Sequence, residues 1–402
     1  MTSTGDTGSI RGRVPSDAHQ AAKPSLDLLR SLTDEHVLRA VMEHGQLTRA
    51  DIAVKTGLSK PTVYESARRL NEAGVLVDTG ERTVGRGRAG SYYTLSEANA
   101  KALVVSIRPD GVSAEAVDPL GTTVSETLIP LDRRAGQDEA VRALASVARQ
   151  VMRNEDPFGL AVVSAADPVN RSSGELVHLP DAPFMVGNLD PAAVLSPLVS
   201  GSILVDNDVN WAARAERSAG DPQLDNFVYI HLAEGLGCAV VGEGEVKRGH
   251  RGVAGEIAHV LTTGPRGLAT PLTEVFAALD LRRPGSTAID VDQLRTRFEE
   301  VDVDGGTTLQ TVARAVHGVV VAAIALADPE EIVMGGSWGR DQVVIDALTR
   351  CLERSPRAVP VRAALLEEAP DHIGARMRAL SELRTLIATR CGHRAATVEH
   401  ET

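Results

Sequence analysis

The sequence predicts an α/β protein in two unequal parts: an N-terminal winged helix-turn-helix and a larger, two-lobed α/β body. Three observations predict it. Residues 46–76 carry a short capped helix, a glycine turn and a second capped helix with a basic face. From Lys101 the texture changes to apolar strands and then to strands alternating with helices. Charge divides at the same place, since residues 1–95 hold 13 Lys/Arg against 11 Asp/Glu (net +2) and the remainder carries net −14.

Residues 1–24 are rich in Gly, Ser, Thr and charge and read as a disordered tail, including Arg11-Gly12-Arg13. Leu26–Gly45 predicts a first helix with Leu29, Leu32, Val37, Leu38 and Val41 as its apolar set. Thr48 suits an N-cap, with Asp51 in the first turn of the helix that follows; Gly57 supplies the turn. Ser59-Lys60-Pro61-Thr62 opens the next helix with a capping serine and a proline tolerated in the first turn. Val63, Ala67 and Leu70 fall at i, i+4 and i+7 and face the core, which leaves Lys60, Thr62, Tyr64, Glu65, Ser66, Arg68 and Arg69 outward.

Small polar and basic side chains on that outward face can enter a major groove, with Lys60, Thr62, Tyr64 and Arg68 as the expected DNA contacts. Glu65 either accepts from a cytosine amino group or pairs with the arginine one turn on. Gly74–Val77 and Tyr92–Leu95 predict the two wing strands. Gly85-Arg86-Gly87-Arg88 lies at the wing tip, where Arg86 and Arg88 are expected in an A·T-rich minor groove, or else the segment is a soluble hinge. The alternative for the whole unit is a three-helix packing module that contacts protein.

In the body, Ala102–Ile107, Ser113–Val117 and Thr122–Leu131 read as strands, Gln137–Arg153 as a helix, and Leu160–Ser164 and Ser202–Asp206 as buried strands. Phe227–Leu232, Cys238–Val241 and Glu331–Met334 repeat the strand signal, with helices over Leu309–Ala327 and Gln342–Arg354. The expected domains are residues 25–97 for the head and 98–386 for the body, with a C-terminal tail over 387–402. At 402 residues the chain is too long for one ordinary core. Net charge −12 argues against a protein that coats nucleic acid, and an acidic body with a mildly basic head favours one small specific site. Cys238, Cys351 and Cys391 form no close pair, so reduced thiols and a cytoplasmic location are expected. The apolar run Val316–Ala327 is too short to span a bilayer, and no membrane association is expected.

Two clusters carry the body's chemistry. Asp206-Asn207-Asp208-Val209-Asn210 follows a buried strand, at the edge where α/β folds collect ligands, although Asn-Asp there also suits a turn or helix cap. Glu256 and His259, at i and i+3, share a face if Gly255–His259 is helical. Carboxylates, amide and imidazole converging on one cleft would suit a polyhydroxylated ligand.

Together these segments resemble the ROK family, which joins bacterial repressors and sugar kinases on an actin-like, hexokinase-like fold. Asn207-Asp208 looks like the family's sugar-binding pair, whose aspartate is the catalytic base in its kinases. Gly249–His259 is similar to its signature, in which Glu256 and His259 would contact sugar hydroxyls. Glu274 falls where the family places a third sugar-binding acid, and Gly235-Leu236-Gly237 and Gly335-Gly336 resemble its glycine turns near the nucleotide. Two departures matter. Where the kinases carry an Asp-x-Gly-Gly-Thr phosphate loop, this chain reads Ser106-Ile107-Arg108-Pro109-Asp110-Gly111, with an N–H donor lost at proline and no threonine. Where many members hold zinc with a cysteine cluster after the signature histidine, Gly264–Glu274 contains no cysteine.

The resemblance and departures together imply a transcriptional regulator, a repressor of sugar uptake or metabolism genes. No metal, cofactor or catalytic residue is expected; the effector would be a sugar or sugar phosphate, acting on a homodimer or homotetramer at a palindromic operator with A·T-rich flanks. The alternative is an ATP-dependent sugar kinase with a regulatory DNA-binding head.

Overall fold

The computed structural model describes residues 26–83, 90–98, 100–133, 135–152, 156–179, 183, 188–220, 222–300 and 307–398, with side chains described between 30 and 389. The expectations for the tail over residues 1–24, for Arg86 and Arg88, and for Cys391 lie outside them.

The head runs α1 (Leu26–His44), β1 (Gln46–Thr48), α2 (Arg49–Thr56), α3 (Lys60–Glu72), β2 (Leu76–Arg82) and β3 (Ser91–Leu95). The expected caps form: Thr48 and Asp51 make a reciprocal capping box, and Gly57 ends α2 at φ 71°, a backbone region that glycine adopts without strain. Ser59 accepts from the backbone N–H of Thr62 to start α3. A third strand, β1, joins the wing in the order β1-β3-β2; at three residues it was too short to give a strand pattern. Leu32, expected in the apolar set of α1, is exposed, whereas Val37, Leu38 and Val41 are buried.

The body contains two lobes of the same topology. In the first, β4 (Ala102–Arg108), β5 (Gly111–Val117) and β6 (Thr123–Pro130) form an antiparallel meander. After α4 (Gln137–Val151), β7 (Leu160–Ala165), α5 (Pro191–Leu195) and β8 (Ile203–Asn207), the sheet reads β6-β5-β4-β7-β8, its last two pairings parallel. The helix α6 (Asp208–Ala219) leads into the second lobe.

There β9 (Phe227–Leu232), β10 (Leu236–Gly242) and β11 (Glu245–Val246) repeat the meander, and a hairpin of β12 (Leu261–Thr263) and β13 (Ala269–Pro271) follows. Next come α7 (Leu272–Ala278), α8 (Val291–Phe298), α9 (Thr308–Ala327), β14 (Glu331–Gly335), α10 (Gln342–Leu352) and β15 (Val361–Ala363). The sheet order β11-β10-β9-β14-β15 matches the first lobe position for position. In both lobes the chain reverses direction of growth beside the central strand, and the carboxyl ends of the parallel strands open toward ligand space. The helix α9 is long and apolar enough by composition to cross a membrane, but Val312, Val316, Val319, Val320 and Ile324 bury one face of it in the second lobe's core.

The last helix, α11 (Pro370–Val398), crosses the boundary expected at residue 386 and returns to the first lobe. Its buried stripe of Ala375, Ala379, Leu383 and Ile387 belongs to one apolar cluster with Val104 and Val162 of the first sheet and Val37, Leu38 and Val41 of α1. Where α11 meets α6, Gly374 is needed for space: a Cβ there would stand 2.1 Å from the Trp211 carbonyl oxygen. Head, first lobe and C-terminal helix therefore share a core.

Candidate functional site: an interlobe cleft and a winged-helix face

Each parallel strand of the first lobe delivers a polar group from its carboxyl end into a cavity of about 540 Å³. Arg108 ends β4, Asp167 follows β7, and Asn207 and Asp208 follow β8; the second lobe adds His231, Glu234, Glu256 and His259. Four of the five expected sugar-binding residues, Asn207, Asp208, Glu256 and His259, are thus brought together.

Asn207 is also the N-cap of α6. Its side chain accepts from the Val209 N–H at 3.0 Å while its amide donates to the carbonyls of Ala165 and Asp167 at 3.3 Å each. The cap reading and the cleft reading are both true, and the residue ties the β7 and β8 loops together. Behind it, buried Asp206 takes Asn210 at 2.8 Å, Arg214 at 2.8 Å and Arg248 at 3.2 Å, which fixes the strand end.

Glu256 and His259 do not sit on a helix. The segment is a pair of turns in which Gly255 adopts φ 101° and its carbonyl accepts from the Cys238 N–H at 3.0 Å. A Cβ on Gly255 would stand 1.8 Å from the Cys238 oxygen, so this clasp onto β10 requires glycine. The clasp, not helical spacing, aims both side chains at the cleft.

Glu274 is not among the cleft-lining residues. It lies on the outer side of α7, 53% exposed and paired with Arg282 at 3.0 Å, while its buried neighbour Thr273 reaches the cavity. The expectation fails because α7 begins at Leu272 and turns position 274 outward. A zinc ion does not fit after His259 either: the β12–β13 hairpin has no cysteine. It is held by its strand pairs and by Thr262, whose hydroxyl donates to the Ala315 carbonyl and rests on Gly318 of α9.

Acidic groups dominate the cleft floor. Asp208 is pushed up to about 8 by burial first and then by the nearby charges of Asp371, Glu256 and Asp167. Burial alone pushes Asp167 up to about 7. Glu256 is raised to about 7 by burial and Asp167, although its side chain opens to cleft water, which tempers that rise. Asp371, at the start of α11, accepts from the Ser164 hydroxyl at 3.0 Å and lies 3.8 Å from Arg108. Sequence reasoning missed Asp167 and Asp371. Ala-Ala-Asp-Pro reads as a turn, and α11 carried no clear apolar period because half its buried stripe is alanine.

At the cleft mouth Glu234 of the second lobe is held by Arg133 of the first lobe and by Arg283, which lies 3.1 Å away. The β4–β5 turn is a two-residue hairpin closed by Arg108 and Gly111, with Pro109 and Asp110 at its tip.

On the head, Lys60 is exposed at the start of α3, and Thr62 is half-buried, its hydroxyl 2.7 Å from that of Ser59. Tyr64 is 48% exposed and covers Arg49, whose guanidinium lies 4.5 Å from its ring and 4.8 Å from the ring of Tyr93. This sandwich joins α2, α3 and the wing; no local pattern signals it, because the three residues are far apart in the chain. Arg68 pairs with Glu65 at 2.9 Å and Glu72 at 2.8 Å, so it meets a phosphate only by leaving them. Ser66 and Arg69, expected outward, instead point inward to Asp34 of α1, at 2.5 and 2.6 Å. The buried Asp34 carboxylate draws them in, since an unpaired charge there would be costly.

Residues 121–376 match the ROK family, and residues 30–77 match a winged helix-turn-helix DNA-binding domain. The chain is 21% identical over 377 residues to the DNA-binding transcriptional dual regulator NagC of Escherichia coli K12, spanning 88% of this chain and 92% of that protein. In fold it is similar to a ROK family transcriptional regulator described as a homologue of the E. coli MLC protein (TM-score 0.59, 18% identity, 91% of this chain and 99% of that one). It is also similar to a putative N-acetylmannosamine kinase from Listeria monocytogenes (TM-score 0.54, 20% identity, 70% of this chain and 99% of that one).

Proposed function

The chain belongs to the ROK family, and on that premise we propose that it is a one-component transcriptional regulator, a repressor of genes for sugar uptake or metabolism. In this reading the cleft senses a sugar or sugar derivative and has lost phosphoryl transfer. The observation that carries it is α11, which starts at Asp371 in the cleft and packs through Leu383 and Ile387 in the cluster that holds α1 of the head. Further on, the Arg384 guanidinium donates to the carbonyls of Pro119 in the first lobe and Met42 in α1. A ligand that prefers one setting of that helix shifts the population of head arrangements by its difference in affinity.

A single head has a small footprint, so a homodimer on a palindromic operator is the assembly that fits specific binding. Lys60, Thr62 and Tyr64 are its groove or phosphate contacts, with Arg49 as an addition; Arg68 joins them once freed from Glu65 and Glu72. Mobility shift of a palindromic probe, with and without sugars, tests the reading: retardation relieved by a sugar is expected, and no retardation at low salt rejects it. Lys60→Ala is expected to weaken binding across sequences and to lower the salt slope by about one.

Against phosphoryl transfer stand Pro109, which offers no N–H at the β4–β5 turn, and two acids facing the gap, Asp110 and Glu234. Asp208, raised to about 8, favours the second reading, a sugar kinase with a regulatory head. Coupled ADP release with hexoses and N-acetylhexosamines decides between them: no turnover is expected, and turnover abolished by Asp208→Asn would establish the kinase.

A further inference from the structure

The floor of the cleft presents four carboxyl groups, Asp167, Asp208, Glu256 and Asp371, on four separate segments of the chain. Their mutual repulsion is evident, since Asp208 feels the charges of the other three. Among the described residues Arg108 borders them, 3.8 Å from Asp371. Arg214 and Arg248 are engaged behind the floor with Asp206, and Arg133 and Arg283 at the mouth with Glu234. His231 adds no positive charge, because its burial disfavours the protonated ring.

Asp167 is the most telling of the four. It is 3% exposed, it lines the cavity, and no described residue bonds or pairs with its carboxyl group, whose pKa burial alone raises. A buried carboxyl left without a partner is costly. The other buried carboxylates among the described residues, Asp34, Glu115, Asp206 and Glu216, are satisfied from within. Nor do these carboxyls close on one centre: among the described residues no three His, Cys, Asp or Glu side chains are arranged to hold a metal ion. The missing positive charge must then come from a ligand of sugar size that brings several N–H donors.

We infer that the ligand of this cleft is a sugar bearing a free ammonium group, an amino sugar, and that Asp167 is the residue that selects for the amine. The inference rests on the sugar-sensing reading above. An ammonium is a compact charge with three donors, enough to reach more than one carboxylate, whereas a hydroxyl or an N-acetyl group at the same carbon brings no charge. The remaining carboxyls then accept from ring hydroxyls, and the unpartnered Asp167 is satisfied only when the cleft is filled.

The test uses the full-length protein in calorimetric titration and thermal shift. The probes are D-glucosamine, D-galactosamine and D-mannosamine beside glucose, galactose, mannose and N-acetyl-D-glucosamine. At least one amine is expected to bind about tenfold or more tighter than its neutral counterparts. Asp167→Asn is expected to remove that preference while raising the melting temperature of the free protein, which also shows that the variant folds. Glu256→Gln, at the open end of the floor, is expected to weaken the amine less. If neutral sugars bind as well as or better than every amine, or if Asp167→Asn keeps the preference, the inference falls while the sensor reading stands. If no probe binds at all, the inference falls, and the sensor reading is decided by the mobility shift alone.

Discussion

Two aspartates lie at nearly the same depth, Asp34 in the head at 4% exposure and Asp167 in the cleft at 3%, yet their surroundings differ in kind. Asp34 receives the Ser66 hydroxyl and the Arg69 guanidinium, and so locks α1 to α3. Asp167 receives nothing from the described residues. A buried charge that is fully met from within is architecture; one left unmet in a cavity wall is held for something that arrives. The contrast separates a head whose buried charge is met from within from a cleft whose buried charge is not.

The largest expected effect breaks the satisfied member. Asp34→Ala leaves Arg69 and Ser66 unpaired at the α1–α3 contact and is expected to cost about 3 kcal/mol, read as a shifted denaturation midpoint, with DNA retardation lost in parallel. Removing the unsatisfied member should do the reverse: Asp167→Asn is expected to stabilise the free protein by about 1–2 kcal/mol in the same measurement. Equal destabilisation by both variants would end the comparison.

Acid–base linkage sharpens it. The folded protein holds the Asp167 proton up to about pH 7, whereas the unfolded chain releases it near about pH 4. This stability is therefore complete below the unfolded value and is lost as pH rises through 7. Melting temperature should fall across that interval, and Asp167→Asn should flatten the fall; Asp208, with its higher value of about 8, extends the same trend.

Smaller effects are expected at exposed contacts. Arg49→Ala removes the guanidinium stacked between Tyr64 and Tyr93 and should cost about 1 kcal/mol, with a measurable loss of operator affinity because the recognition helix and the wing lose their tie. Smallest is Arg133→Ala at the half-exposed interlobe pair with Glu234. It should change stability by less than about 1 kcal/mol, while small-angle scattering of the unliganded protein reports a more open cleft.

Legibility in the sequence followed locality. The capping box at Thr48 and Asp51, the Gly57 turn and the Ser59 cap involve neighbours within four residues, and all were readable. The body's strands were readable because the parallel ones are apolar runs buried on both faces. What escaped depends on partners distant in sequence. Ser66 and Arg69 turn inward only because Asp34 waits across the contact, and Arg49 gains meaning only from Tyr93. Glu256 and His259 reach the cleft through a Gly255 clasp on Cys238, which the i, i+3 spacing suggested for a different reason. The helix α11 hid behind its alanines, and Glu274 was misplaced because a short helix starts two residues earlier.

That same helix sets the gearing of the molecule. From Asp371 to Arg384 it spans about 20 Å at 1.5 Å per residue, so a tilt of about 5° at the cleft end displaces the far end by nearly 2 Å. In the proposed dimer such a displacement would be felt twice. A small angular adjustment beneath a bound sugar would then, by leverage alone, shift two recognition helices against successive turns of a DNA groove.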